Sequence, residues 1–174
     1  MGRIFRKEGA GSQIPEFVIM LAMATILIAD DERLLRESML KLLKKEGYKV
    51  ECARNGIEAV EKFSARQHDL VILDIDMPGK NGFVACREIR SLNRLTPVIF
   101  LTANDSEINQ VKALGAGADD FIAKDESSSY YDWTAIFLAR VNRALVRAEA
   151  YEHTAASLQL GAVWFWDRFK RVRT

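Results

Sequence analysis

Several polar side chains stand where short apolar segments of the chain end. Asp30 and Asp31 follow "TILIA", Asp74 follows "LVIL", Thr102 closes "VIFLT", and Lys124 follows "DFIA". Carboxylates that pack together repel one another and raise one another's pKa unless a cation lies among them. Mg²⁺ prefers a few carboxylate oxygens and keeps waters, which leaves a position for a phosphoryl oxygen. If these segments meet, the residues indicate Mg²⁺-assisted phosphoryl transfer, with Asp74 as the nucleophile.

The cation and the hydroxyl of the set suit the same reaction. Lys124 would supply a point positive charge and Thr102 a hydroxyl donor, the groups that hold the oxygens of a transferring phosphoryl group. A lone Asp at the end of a strand is most often a cap or turn residue, and a lone Lys is usually a solvated charge. Caps, turns and solvated charges do not explain why all of these residues occur together at the ends of successive strands, so we interpret them as one site.

The segments that carry these residues alternate with amphipathic stretches. Apolar residues three and four apart predict helices between the strands, as at Leu34, Leu35, Met39, Leu42 and Leu43. Four segments are apolar on successive residues, as in parallel strands covered on both faces, whereas "YKVECA" alternates and suits an edge strand. Asn55 with Glu58 predicts a capped start for the second helix. The pattern predicts a doubly wound α/β fold, in which ligands bind beyond the carboxyl ends of the strands.

Composition limits the number of domains and the kinds of partner that the chain can have. The chain has 174 residues, 49% of them hydrophobic and 28% charged, enough for one packed domain with extensions. The net charge of +1 gives no overall field that favours nucleic acid or a membrane surface. Cys52 and Cys86 form no disulfide framework, and we interpret both as small buried or half-buried side chains in a reducing compartment.

Residues 1–23 contain basic residues, an apolar run and an Ala-x-Ala ending, which is the outline of a secretory signal. The apolar residues continue into the first predicted strand, and the run is too short to cross a bilayer of about 30 Å. Met23 is a natural reading start. We therefore interpret residues 1–23 as a leader or cloning-derived remnant, exclude them from the fold, and expect no membrane span.

The site residues and their order on the strands make residues 24–148 resemble the receiver domain of two-component response regulators. The resemblance implies a flavodoxin-like, doubly wound, five-stranded parallel sheet with helices on both faces. It implies a cytoplasmic signalling domain that takes a phosphoryl group from a sensor histidine kinase or a phosphotransfer protein, with Mg²⁺ as cofactor. Such a domain changes conformation and catalyses only its own phosphorylation and dephosphorylation.

By this resemblance Asp74 is the phosphoacceptor, and Asp30 and Asp31 are the acidic pair. Asp31 is then a direct metal ligand, as is Asp74, while Asp30 acts through a water. Asp76, two residues beyond the acceptor, offers its backbone carbonyl to the metal. The loop "MPGKNG" matches the turn that follows the acceptor strand in this family.

The remaining residues are assigned to the switch by the same resemblance. Thr102 resembles the switch hydroxyl, Ala103 the small residue beside it, and Phe121 the aromatic residue that swings inward on activation. For Phe121, core packing is an equal alternative. Lys124 resembles the family's lysine, but Asp125 follows it where the family usually has proline. We expect a trans bond there, because a cis bond before a non-proline residue costs about 2.5 to 4 kcal/mol.

Alternatives from other classes stay open. "DIDMPG" is similar to the Asp-x-Asp motif of haloacid-dehalogenase-type phosphatases, although those enzymes place the motif on the first strand. A receiver that has lost phosphorylation and serves as an interaction module is another alternative. Direct nucleic acid binding is not expected, because nothing after residue 150 is long enough for a helix-turn-helix with its own core.

A heptad-like apolar stripe runs through the last helix and into residues 149–174. Its members are Phe137, Val141, Ala144, Ala148, Tyr151, Ala155, Leu158, Ala162 and Phe165. We interpret residues 149–174 as a helical extension or a linker toward a missing output domain. A homodimer seam, a frayed tail and a basic aromatic patch are the alternatives. His68 and His153 are expected to be ordinary surface residues.

Overall fold

The computed structural model describes residues 24–103, 106–124 and 133–150. The strands are β1 Thr25–Ala29, β2 Lys49–Ala53, β3 Leu70–Leu73, β4 Val98–Thr102 and β5 Asp120–Ala123. The helices are α1 Arg33–Lys45, α2 Gly56–Ala65, α3 Gly82–Leu92, α4 Glu107–Gly115, and α5, residues 133–150. All strand pairs are parallel, in the order β2-β1-β3-β4-β5. The predicted doubly wound five-stranded sheet is confirmed, with β2 at an edge.

Both faces of the sheet are covered, because successive side chains of a strand point to opposite faces. Ile26 and Ile28 of β1 pack with apolar side chains of α1 and α5. Leu27 packs on the other face, with side chains of α2, α3 and α4. All three are fully buried. Since burying such a side chain contributes about 1.5 to 3 kcal/mol, the two cores hold the strands between the helices.

Helices α2 and α3 begin after asparagines whose side chains cap the first turn. The Asn55 side chain accepts a hydrogen bond from the backbone N–H of Glu58, which confirms the predicted cap of α2. The Glu58 carboxylate turns back to the N–H of Arg54 rather than to that of Asn55. Asn81 caps α3 by accepting from the N–H of Val84. Each cap fixes the loop that joins a strand end to its helix.

The two edge strands have outward-facing carbonyls that accept side-chain hydrogen bonds. The Lys62 ammonium donates to the carbonyl oxygen of Cys52 on β2. The Trp133 indole Nε1–H donates to the carbonyl oxygen of Ala123 on β5 at 3.2 Å. Both carbonyls face away from the sheet, because the adjacent Ala53 carbonyl and the Lys124 N–H are bonded inward, to β1 and β4.

The described part of the apolar stripe on α5 packs on the sheet. Phe137, Val141 and Ala144 are buried, and Ala148 is half-buried. The later stripe members and the rest of residues 151–174 lie outside the described residues, so the paired-helix hypothesis stays a prediction. Among the described helices, none is both long and apolar enough to cross a membrane.

One expectation about exposure is wrong. His68 is buried, because its ring stacks on Phe63 at 5.9 Å and its Nε2 lies 3.2 Å from Glu51 Oε2. A polar loop sequence gave no sign of these contacts. Leu34 is 68% exposed, because it lies in the first turn of α1, outside the face that Met39 presents to the sheet. His153 lies outside the described residues.

Candidate functional site

The polar residues after the strands are brought together at the carboxyl edge of the sheet. β1 pairs with β3, β3 with β4 and β4 with β5, so the residues that follow these strands are neighbours. The N–H of Asp74 donates to the Ala29 carbonyl oxygen at 2.8 Å, and the N–H of Lys124 donates to that of Thr102, also at 2.8 Å. These backbone hydrogen bonds therefore fix the positions from which the side chains of Asp74 and Lys124 extend into the site.

Lys124 bridges two carboxylates at this edge. Its Nζ lies 2.8 Å from Asp30 Oδ2 and 2.8 Å from Asp74 Oδ2. Asp30 is 1% exposed and Asp74 is 6% exposed, whereas Asp31 is exposed. Asp30, Asp31 and Asp74 each place one carboxylate oxygen within 4.8 Å of the others. The site thus combines a buried ion-paired group, Lys124 with Asp30 and Asp74, with one acid, Asp31, that is exposed to solvent.

Burial and ion pairing act against each other in this cluster. Burial raises the pKa of Asp30, and the hydrogen bond and charge of Lys124 offset part of that rise. Burial alone would lower the pKa of Lys124, but its hydrogen bonds to Asp30 and Asp74 outweigh burial and the pKa is raised. Lys124 is therefore held as a cation between the two acids.

Neighbouring donors orient the two buried carboxylates. Asp30 Oδ1 accepts from the N–H of Glu32 at 2.8 Å, and Asp74 Oδ1 accepts from the N–H of Ile75 at 2.7 Å. Arg36 Nη1 donates to the backbone oxygen of Asp30 at 2.6 Å. Arg36 was missed from the sequence, because one arginine on an amphipathic helix looks like any solvent-facing charge.

The residues assigned to the switch lie on β4, directly after it, and on β5. Thr102 is 1% exposed at the end of β4, and Ala103 beside it is exposed. Phe121 on β5 is half-buried and packs against the core on the α2, α3 and α4 face. Asp76 is exposed beyond the acceptor. The peptide bond from Lys124 to Asp125 extends outside the described residues.

The loop after the acceptor comes very close to Asp74. Gly82, the first residue of α3, lies so near that a Cβ there would overlap the Asp74 carbonyl oxygen. Gly79 has a φ of +77°, a backbone conformation that favours glycine. These glycines allow α3 to begin directly against the acceptor residue.

The donor set fits a divalent cation. Three carboxylates against one ammonium leave two formal negative charges, which a divalent ion neutralises. All of the side-chain donors are hard carboxylate oxygens, and Asp31 is open to solvent, where an ion can keep its waters.

A doubly wound sheet with an acid cluster and a lysine at its carboxyl edge has the architecture of a receiver-type signalling domain. The family model described as response regulator receiver domain matches residues 26–130. The chain belongs to this family.

Individual relatives agree with this assignment. The chain is 38% identical over 135 residues to the response regulator MprA of Mycobacterium bovis, an alignment that covers 78% of this chain and 56% of the relative. The chain thus spans about half the length of that curated relative.

Solved structures share the fold. A CheY-like receiver domain protein from Methanospirillum hungatei JF-1 matches with a TM-score of 0.67 and 28% identity, over 74% of this chain and 98% of that one. The receiver domain of a histidine kinase from Syntrophus aciditrophicus matches with a TM-score of 0.62 and 34% identity, over 71% and 90%. The Asp-x-Asp motif follows the third strand of this fold, so the arrangement gives no support to the phosphatase alternative.

Proposed function

We propose that Asp74 accepts a phosphoryl group in a Mg²⁺-dependent reaction. The observation that carries the proposal is the double contact of Lys124 with Asp30 and Asp74, beside the exposed Asp31. A cation held against the acceptor carboxylate is suited to hold an oxygen of the incoming phosphoryl group. The family assignment supports the same chemistry.

The acidic residues would hold the metal. Asp31 and Asp74 would act through their carboxylates, Asp76 through its backbone carbonyl, and Asp30 through a water. When bound, Mg²⁺ supplies charge neutralisation for the carboxylates and for the phosphoryl oxygens. Asp30 also holds Lys124 in place by the hydrogen bond between them.

The chain's own residues then perform the transfer. A carboxylate oxygen of Asp74 attacks phosphorus in line, so an O–P bond forms while the bond from phosphorus to the donor atom breaks. The donor keeps that electron pair, and Asp74 becomes an acyl phosphate. Lys124 and the Thr102 hydroxyl would bind the phosphoryl oxygens, and Ala103 leaves room for them.

The donor that this chemistry implies is a phosphohistidine of a sensor histidine kinase or a phosphotransfer protein. We propose that phosphorylation draws the Thr102 hydroxyl toward the phosphoryl group and lets Phe121 move inward, which shifts an existing equilibrium. Residues 24–148 would form this receiver, with residues 149–174 as an extension or linker. A receiver that works without phosphorylation is the remaining alternative.

Labelling tests the acceptor. With Mg²⁺ and a small acyl phosphate or a phosphohistidine donor, the protein should gain one acid-stable, base-labile phosphoryl group, and chelation should abolish it. Asp74→Asn should remove the label. Asp76→Asn is the matched control, because its proposed role needs only the backbone, and it should keep the label. Labelling that persists in Asp74→Asn, without transfer to another acid, would overturn the assignment.

A phosphoryl analogue tests the switch. Beryllofluoride with Mg²⁺ should shift the amide signals of Thr102, Phe121 and their neighbours on β4 and β5. Identical spectra with and without the analogue would contradict the switch proposal while leaving the acceptor assignment intact.

A further inference from the structure

The peptide group between Ala123 and Lys124 is hydrogen-bonded on both sides. Its N–H donates to the Thr102 carbonyl oxygen at 2.8 Å. Its C=O accepts from the Trp133 indole Nε1–H at 3.2 Å. One peptide plane therefore connects the end of β4, the residue that carries the site ammonium, and the start of α5.

Trp133 is itself held firmly. Its ring stacks on Phe137, with centroids 5.1 Å apart and planes 9° from parallel. Phe137 is fully buried in the core on the α1 and α5 face. Because the Trp133 ring packs on a buried core residue, its N–H donor has a fixed position.

The hydrogen bond from Trp133 to Ala123 takes the place that a neighbouring strand would take if β5 were not at the edge of the sheet. On its inner side β5 pairs with β4, and β5 is the last strand of the sheet. Without an outer partner, the Ala123 carbonyl would bond to water and the peptide plane could tilt. Lys124 carries its charge at the end of a flexible four-carbon stem, so a fixed backbone at its base lowers the entropy cost of holding Nζ against both acids.

We propose that Trp133 is a positioning residue for Lys124, acting through the Ala123 carbonyl. The inference rests on the proposed phosphoryl transfer to Asp74 for its kinetic consequence. Losing one hydrogen bond of this kind should slow phosphorylation about three- to tenfold. Mg²⁺ binding should not weaken, because the proposed ligands follow β1 and β3, and an ammonium held less firmly against Asp30 and Asp74 repels the ion less.

Two variants of the full chain separate positioning from general stability. Trp133→Phe keeps an aromatic ring over Phe137 and removes the N–H donor. Tyr48→Phe is the matched control, because Tyr48 donates to Asn142 Oδ1 on α5 and the change also removes one aromatic donor. We expect similar losses of thermal stability in both, with slower acyl-phosphate labelling in Trp133→Phe alone. The Lys124 amide should also exchange with solvent about three- to tenfold faster in Trp133→Phe.

The outcomes are distinct. Normal labelling and normal exchange of the Lys124 amide in Trp133→Phe would overturn the positioning role, as would equal slowing in both variants. If the unmodified protein takes no label, the proposed function fails, and the exchange rate of the Lys124 amide decides this inference by itself. Faster exchange would then support it, and an unchanged rate would overturn it.

Discussion

At the scale of single residues, the electrostatics of the site depend on Lys124. Its side chain is 13% exposed, and the two acids that it bridges, Asp30 and Asp74, have side chains that are 1% and 8% exposed. A carboxylate at such depth keeps its desolvation cost if its cation is removed, and the attraction that offset this cost is lost. The ammonium is therefore a structural part of the site as well as a proposed participant in its chemistry.

Replacing Lys124 by methionine should lower the free energy of unfolding by about 3 kcal/mol when no divalent cation is present. Added Mg²⁺ should restore part of the loss, because it would neutralise the same carboxylates and bind the folded state alone. Urea unfolding with and without Mg²⁺ measures both effects. Lys80→Met is the control, because the partly exposed pair with Glu88 should contribute no more than about 1 kcal/mol. Equal losses in the two variants would contradict the prediction.

The buried Cys86 thiol makes the free energy of unfolding depend on pH in the alkaline range. Burial raises the pKa of its thiol from 9.0 to about 11, so between these values the unfolded chain loses a proton that the folded chain keeps. The contribution of Cys86 is fully present below pH 9 and falls by about 1.4 kcal/mol per pH unit as the pH rises toward 11. Other groups that titrate in this range affect the unmodified protein and a variant without the thiol equally, so the difference in stability between the two isolates the effect of Cys86.

Cys86→Ser tests this dependence, because serine does not titrate there and can still donate to the Ala116 carbonyl, as the thiol does. The stability advantage of the unmodified protein over the variant should shrink from pH 9 to pH 11. Urea unfolding under reducing conditions at several pH values measures the difference. A difference that stays constant over this interval would show that the thiol ionises alike in both states.

The acids and the lysine of the candidate site could be found from the sequence because they come directly after strands, and parallel strands bring their ends to one edge. Arg36 and Trp133 could not be found, because each donates to a backbone oxygen outside its own helix, and residue types alone do not show which backbone oxygen a side chain will meet. His68 was misjudged for a related reason: its burial depends on Phe63 and Glu51, which no local pattern connects to it.

At the scale of elements, the start of α3 and the end of β3 are in direct contact. Gly82→Ala should destabilise the fold by about 1 to 3 kcal/mol and slow labelling of Asp74, because the new Cβ would push against the Asp74 backbone. Gly115→Ala is the matched control in a helix, since a Cβ there meets nothing within 4 Å. That change should be neutral or slightly stabilising. Unfolding and labelling rates of the two variants test the contact, and wild-type behaviour of Gly82→Ala would contradict it.

The order of the elements followed from the hydrophobic pattern, since buried parallel strands and amphipathic helices have different periods. The strand order could not be read in the same way. Only β2 showed the alternation of an edge strand, whereas β5, at the other edge, carries apolar residues on both faces. One outward carbonyl of β5, that of Ala123, accepts from Trp133, an interaction between segments that the sequence pattern does not encode.

At the scale of the whole molecule, the core residues that the structure describes lie between residues 24 and 145. The buried residues described on α5 are Phe137, Val141, Ala144 and Leu145, all before Ala150, so a chain truncated after Ala150 should fold and keep its Mg²⁺-dependent labelling. Thermal unfolding and labelling check this, and a truncated chain that does not fold would contradict it. Mass in solution tests the stripe separately. If the shortened and full chains have the same oligomeric state, the stripe is not a dimer seam.

The capped edges of the sheet have a consequence for how copies of the protein meet. A bare edge strand offers a row of unpaired amides and carbonyls on which another chain can add, and repeated addition leads to fibrils. Here Lys62 occupies an outward carbonyl of β2, and Trp133 occupies one of β5. At these two positions a second chain would have to displace a side-chain hydrogen bond before it could pair with the edge strand. The indole proposed to position Lys124 thus also occupies a carbonyl of an edge strand, so a substitution at Trp133 would leave that carbonyl open to pairing with a second copy of the protein.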